Sequence, residues 1–252
     1  MSNENLDINF VDSGEIISSQ KSEISFIDNE GLRRVAEKLP KVPFNDKEVM
    51  RRITELVAKR GVPKEDSLVG LLAEAHVTYA LEQLAAEKEL GLDLYPIKTP
   101  SKSRKYVFVR KNDTGNITAI EKRGHGGLAS TAMEYDGVVM IEGVVTLVDV
   151  RASAEGGSKG KRNKYSLRAL RDDDLLREKL KPLKDRFPLA RNFGCIAVGS
   201  REAIGKSGER EKAFAEKGMF LVPLPISLPE LREHAVDLRN RILEIRAVNA
   251  GK

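Results

Sequence analysis

The chain has 252 residues, 32% charged and 40% hydrophobic, enough for a substantial core and unlike a fibrous or low-complexity protein. Glu142 interrupts the longest apolar run well short of a membrane span, and the acidic start reads as neither secretory signal nor transit peptide, so an intracellular protein without a membrane partner is expected. A single cysteine, Cys195, excludes an intramolecular disulfide, three histidines argue against a Cys/His zinc site, and the net charge of +5 conceals a marked division along the chain.

Residues 1–31 carry one lysine against seven Asp or Glu, whereas residues 151–191 carry thirteen Lys or Arg against six Asp or Glu. The basic segment favours a polyanionic partner, with a solvated helix face as the alternative for any single cluster. Residues 1–43 read as an acidic tail with a loose repeat, Ile8-Asn9-Phe10-Val11-Asp12 and Ile24-Ser25-Phe26-Ile27-Asp28. Such a pattern suits docking on a protein partner or covering a basic groove, and equally a stray pair of strands. Residues 44–252 read as one domain.

Asn45 or Asp46 caps a helix through Val49, Ile53, Leu56 and Val57, stopped by Gly61. Ser67 caps a second helix, from Leu68 to about Leu90, with Gly91 as its stop. Leu71, Glu74, Val77, Thr78 and Leu81 share one face of it. Glu74 thus sits in an apolar stripe, where an unpaired carboxylate is costly unless it bends out to water. His76, on another face, draws no role. Tyr106–Arg110 and Ile117–Ile120, split by Asn112-Asp113-Thr114-Gly115-Asn116, form a hairpin. Gly124-His125-Gly126-Gly127 is a loop, its histidine solvated or touching substrate.

Met133–Ser153 is the stretch on which the chemistry turns. It reads as two strands joined at Glu142-Gly143, and Val144–Val148 is apolar enough to be covered on both faces. A two-residue turn places Ile141 against Val144, Asp136 against Asp149 and Glu134 against Arg151. Directly opposed Cβ atoms lie roughly 4.5–5.5 Å apart, and two carboxylates there need a counter-charge. A divalent metal is the simplest one; a strand end that reaches solvent is the alternative.

Beyond Arg151 lies a glycine-rich basic loop holding Lys159, Lys161, Arg162 and Lys164, followed by a helix from about Ser166 to Lys184 that includes Arg168. Glycine and lysine together allow close approach to phosphates. A strand at Gly194–Val198, a helix around Glu209–Lys217, a strand at Met219–Leu224 and an amphipathic helix from Pro229 to Arg246 complete the order. Gly199–Ser207 imitates a phosphate-binding loop but has five residues between its glycines where the motif needs four, so nucleotide hydrolysis is not expected. Lys206 and Arg210 remain candidates for nucleic-acid contact.

The succession of a helix with Glu74, a hairpin, a strand entered at Asp136, a strand with Asp149-Val150-Arg151, a helix and a strand resembles the PD-(D/E)XK nuclease superfamily over roughly residues 67–226. The resemblance implies an α/β, restriction-endonuclease-like fold: a mixed central sheet flanked by helices. It implies that Asp136, Asp149 and Glu74, with the Val150 carbonyl, hold Mg²⁺, or Mn²⁺ as a substitute. Tyr135 stands in place of a variable proline. Arg151 replaces the lysine thought to position or deprotonate the attacking water, and arginine cannot serve as a general base. Arg151 can still stabilise charge on the phosphate, or Lys159 or Lys161 can fold back to supply an amine. The alternative is a slow or dead site in which Arg151 pairs with Glu134.

The expectation is a Mg²⁺-dependent nuclease cutting phosphodiester bonds, in duplex DNA by preference because few aromatics accompany the basic residues. Glu74, Asp136, Asp149 and Arg151 carry the chemistry, and Lys159, Lys161, Arg162, Lys164 and Arg168 follow the backbone. The rival is a catalytically impaired nucleic-acid-binding protein on the same fold, and a homodimer suits double-strand cutting.

Overall fold

A five-stranded central sheet and the helices on its two faces enclose the two buried cores. The computed structural model describes residues 30–39, 46–95, 105–110, 116–122, 128–152, 173–190, 192–200, 211–212, 214, 219–224 and 227–251. The elements are α1 (Glu30–Lys38), α2 (Asp46–Arg60), α3 (Glu65–Ala85), β1 (Leu92–Leu94), β2 (Tyr106–Arg110), β3 (Ile117–Lys122), β4 (Leu128–Tyr135), β5 (Gly137–Ile141), β6 (Val144–Arg151), α4 (Asp173–Arg186), β7 (Phe193–Gly199), β8 (Met219–Pro223) and α5 (Leu228–Ala250). Together they make a mixed α/β fold with two sheets.

The five-stranded sheet runs β1-β5-β6-β7-β8. β5 is antiparallel to both β1 and β6, whereas β6, β7 and β8 are parallel, with α4 in the crossover from β6 to β7. Alternate residues of these strands serve two cores. On one face Val139, Ile141, Val148, Val150, Ile196 and Val198 meet α1, α2, α3 and α5. On the other, Val138, Val145, Leu147, Cys195 and Ala197 meet α4 through Leu176, Leu180 and Leu183. Burial on both faces is why Val144–Val148 is so continuously apolar. β2, β3 and β4 form a separate antiparallel sheet.

The hairpin register is as the sequence predicts: Ile141 pairs with Val144 and Gly137 with Val148. Glu142 and Gly143 both take positive φ, 48° and 80°, the turn that matches strand twist. The expected single strand from Met133 to Ile141 is instead two. β4 belongs to the three-stranded sheet and β5 to the five-stranded one, and the chain changes sheets at Asp136. Glu134 accordingly pairs with Thr118 of β3, which corrects its expected place opposite Arg151.

The helices differ in detail. α2 buries the expected Val49, Ile53, Leu56 and Val57, and Gly61, at φ 95°, ends it. α3 starts earlier than expected, at Glu65 with Lys64 as N-cap, because Glu65 and Asp66 suit the positive end of its dipole. It also stops at Ala85, Gly91 closing a separate 3₁₀ turn at Lys88–Leu90. Its burial extends nearly all round, taking in Leu68, Leu72, Ala73, His76, Ala80 and Leu84 besides Val77 and Leu81 of the expected stripe, whose Leu71, Glu74 and Thr78 are only half-buried. α5 has a capping box, Ser227 with Glu230, and buries Leu231, Ala235, Leu238 and Ile242.

Residues 30–39 depart from the tail assignment. α1 is a helix whose Leu32 and Val35 are fully buried, so an acidic surrounding composition concealed a core element. Residues 1–29 lie outside the described residues.

Candidate functional site

Three elements bring charged side chains to one end of β6. Asp149 stands on the β6 face that looks toward α4, in phase with Val145 and Leu147. It is only 2% exposed, a cost that demands compensation. Two cations supply it. Arg151 Nη2 lies 2.8 Å from Asp149 Oδ1 and 2.9 Å from Oδ2. Lys179 of α4 places Nζ 2.9 Å from Oδ2.

Lys179 is the participant that the sequence reading missed. It is 8% exposed, far below the usual exposure of a lysine. The signal was present: Lys179 is three residues after Leu176 and four before Leu183, both buried, which puts it in the apolar stripe of α4. The same spacing singled out Glu74 on α3. A basic helix, however, invites a reading in which every lysine faces solvent.

Asp136, at the junction between sheets, accepts a 2.6 Å hydrogen bond from the Val150 amide on Oδ2. That bond ties the junction to β6 one residue past Asp149. Desolvation pushes the Asp136 carboxyl well above the ordinary carboxylate range, and the charges of Asp149 and Glu74 push the same way. The Val150 amide and Arg151 oppose the rise without cancelling it. Glu74, half-buried on α3, accepts from Asn116 Nδ2 at 3.0 Å. The three acids named from the sequence therefore bear on one another electrostatically, and Arg151 and Val150 join them.

These carboxylates are not a preformed ligand cage. Among the described residues, no group of three or more His, Cys, Asp and Glu side chains is arranged to hold a metal ion. The Asp149 oxygens already face Arg151 and Lys179, and Asp136 Oδ2 faces an amide. Beside Asp136 a cavity lined in part by Thr78, Glu82, Tyr95 and Arg110 offers about 20 Å³ to water centres, room for one or two molecules and not for a nucleobase. Cys195, wholly buried on β7, is no nucleophile, since burial pushes its thiol up.

Lys159, Lys161, Arg162, Lys164 and Arg168, together with His125, Lys206 and Arg210, lie outside the described residues. Among the described residues no helix is long and apolar enough to cross a membrane. No family model, curated protein or solved structure matches this chain.

Proposed function

We propose that the chain is a metal-dependent nuclease of restriction-endonuclease-like architecture that hydrolyses phosphodiester bonds, with duplex DNA as substrate. One observation carries the reading: Asp136, placed where the chain passes between sheets, is held against β6 beside Asp149 and within the field of Glu74. Desolvation and the charges of Asp149 and Glu74 raise the proton affinity of Asp136, and a hard cation among these acids would relieve that repulsion. The donors are all oxygen, which suits Mg²⁺ or Mn²⁺. Asp136, Asp149, Glu74 and the Val150 carbonyl would hold it, with Asp149 exchanging part of its ion pairing for the metal. When bound, the ion acidifies water and offsets charge on the phosphate.

The residues of the chain do the rest. The Val150 amide fixes the orientation of Asp136, and Asn116 fixes that of Glu74. Arg151 holds the Asp149 carboxylate from the same strand, its Nη2 2.8 Å from Oδ1. On the exposed side of α4, Arg177, Lys181 and Lys184 add positive charge outside the buried site and continue the basic segment toward the DNA backbone.

The test is cleavage of supercoiled, linear and branched DNA with Mg²⁺ or Mn²⁺. Asp149→Asn and Asp136→Asn should each abolish cutting while leaving duplex binding in place. Asparagine is preferred to alanine at 149 because it still offers buried Lys179 an acceptor. Undiminished cutting by both variants sinks the site.

A second reading has its own support. Asp149 is already paired with two cations, the state expected if the acids never meet a metal. In that case the chain binds nucleic acid without cutting it, and calorimetry finds no Mg²⁺ or Mn²⁺ uptake in the presence of DNA. A homodimer would be seen by light scattering, and a protein partner of the acidic tail would be lost on deleting residues 1–29.

A further inference from the structure

We infer that Lys179 is the catalytic lysine of this site, supplying from α4 the ammonium that the Asp149-Val150-Arg151 triplet lacks; the inference rests on the nuclease reading. Two positions compete for that role, and geometry separates them. Arg151 turns back along its own strand, one terminal nitrogen within 2.9 Å of both Asp149 oxygens. That contact holds the acid and takes up the inner end of the guanidinium. Lys179 reaches the same carboxylate from across the core, on a helix packed beneath the sheet. An ammonium has three donors, and the 2.9 Å contact with Asp149 uses one.

Its support is built rather than incidental. The Tyr135 hydroxyl donates to the Lys179 carbonyl at 2.6 Å, so the residue just before Asp136 anchors the turn that carries the amine. Leu176, Leu180 and Leu183 bury the rest of that face. A surface lysine that follows a phosphate backbone needs none of this. A lysine placed to meet one reacting phosphate does, because small displacements there are expensive.

In the reaction a water oxygen bonds to phosphorus as the bond from phosphorus to the departing sugar oxygen breaks. The water gives up a proton to solvent and the sugar oxygen gains one. Lys179 stays an ammonium throughout, donating to a non-bridging phosphate oxygen where negative charge accumulates. Arg151 is a positioning residue that acts through Asp149.

The experiment compares Lys179→Gln, Lys179→Arg and Arg151→Lys with the parent protein on supercoiled plasmid plus Mg²⁺, alongside melting temperature and duplex binding in EDTA. Lys179→Gln should lower kcat by about 10²–10³-fold with KM for DNA little changed, the loss typical of one transition-state donor. Lys179→Arg keeps the charge opposite Asp149 and should melt near the parent, yet cut at least about tenfold more slowly, because a planar fork does not replace a compact ammonium. If Lys179→Gln does not fold, Lys179→Arg decides alone. Parent-like cutting by either variant while Asp149→Asn is dead overturns the role of Lys179 and leaves the nuclease reading standing. A parent protein that does not cut removes both.

Discussion

The Tyr135 hydroxyl donates to the Lys179 carbonyl oxygen at 2.6 Å, joining the end of β4 to the middle of α4. α4 carries Pro182, which lacks an amide proton, so the helix has one internal hydrogen bond fewer beside Lys179. A buried phenol, 1% exposed, braces it there. Tyr135 thus has a defined mechanical task.

Tyr135→Phe removes that donor while keeping the ring in its place against Phe108. The loss should cost about 1–2 kcal/mol, the usual penalty for a lost buried hydrogen bond. Urea unfolding should report a lower midpoint with an unchanged slope. If Lys179 acts on substrate, the same variant also cuts more slowly without binding DNA less tightly.

Asp136→Asn should stabilise the metal-free protein. A carboxyl whose folded pKa is raised contributes stability that falls as pH rises past its unfolded value, near 3.8, because ionisation is easier in the open chain. Asparagine still accepts from the Val150 amide but brings no charge beside Asp149 and Glu74. A gain of about 0.5–2 kcal/mol at pH 7–8, shrinking toward pH 4, is the signature of a buried carboxyl that costs the fold stability. A variant that is less stable than the parent at every pH contradicts it.

His76 makes stability depend on pH in the opposite direction. Burial lowers its pKa from 6.5 to about 4, beside a small cavity also lined by Leu39, Val198, Val222 and Leu224. The unfolded chain binds this proton more readily, so its contribution is complete above about pH 6.5 and is lost as pH falls toward 4. The swing is on the order of 3 kcal/mol for a shift of this size. Chemical denaturation at pH 7.5 and 4.5 should show His76→Gln losing less stability than the parent over that interval.

Gly194 of β7 lies against Leu32 of α1. A Cβ there would lie 2.8 Å from Thr146 Oγ1 and 2.9 Å from Leu32 Cδ1. Gly194→Ala should destabilise by about 1–3 kcal/mol as an overpacked core does. Leu32→Ala in the same background should relieve part of that cost, a coupling that a double-mutant cycle measures. Strict additivity would mean that α1 does not press on β7.

The legible parts of the fold are those that local pattern determines. Val144–Val148 is apolar without alternation because both faces are covered, and Glu142-Gly143 sets the register by a two-residue turn. Asp136, Asp149 and Glu74 were readable because acids in apolar surroundings are expensive. The change of sheets at Asp136 was not readable, since β4 and β5 follow each other with one residue between them and no glycine or proline cluster marks a break. Lys179 was hidden by its company: Lys181 and Lys184 on the same helix are exposed, and composition does not distinguish them. Helix α1 was hidden in the same way by the acidic residues before it.

The parallel pairing of β6 with β7 predicts an order of assembly. The hairpin of β5 and β6 closes over two residues, a microsecond event, and brings Asp136 beside Val150 at once. Lys179 arrives only after the long crossover through α4 has closed, which is the slow step of such topologies. Until then Asp149 has only Arg151 near it in sequence. Refolding kinetics should therefore register mutations at 179 chiefly in the unfolding rate, and mutations at the hairpin in the folding rate.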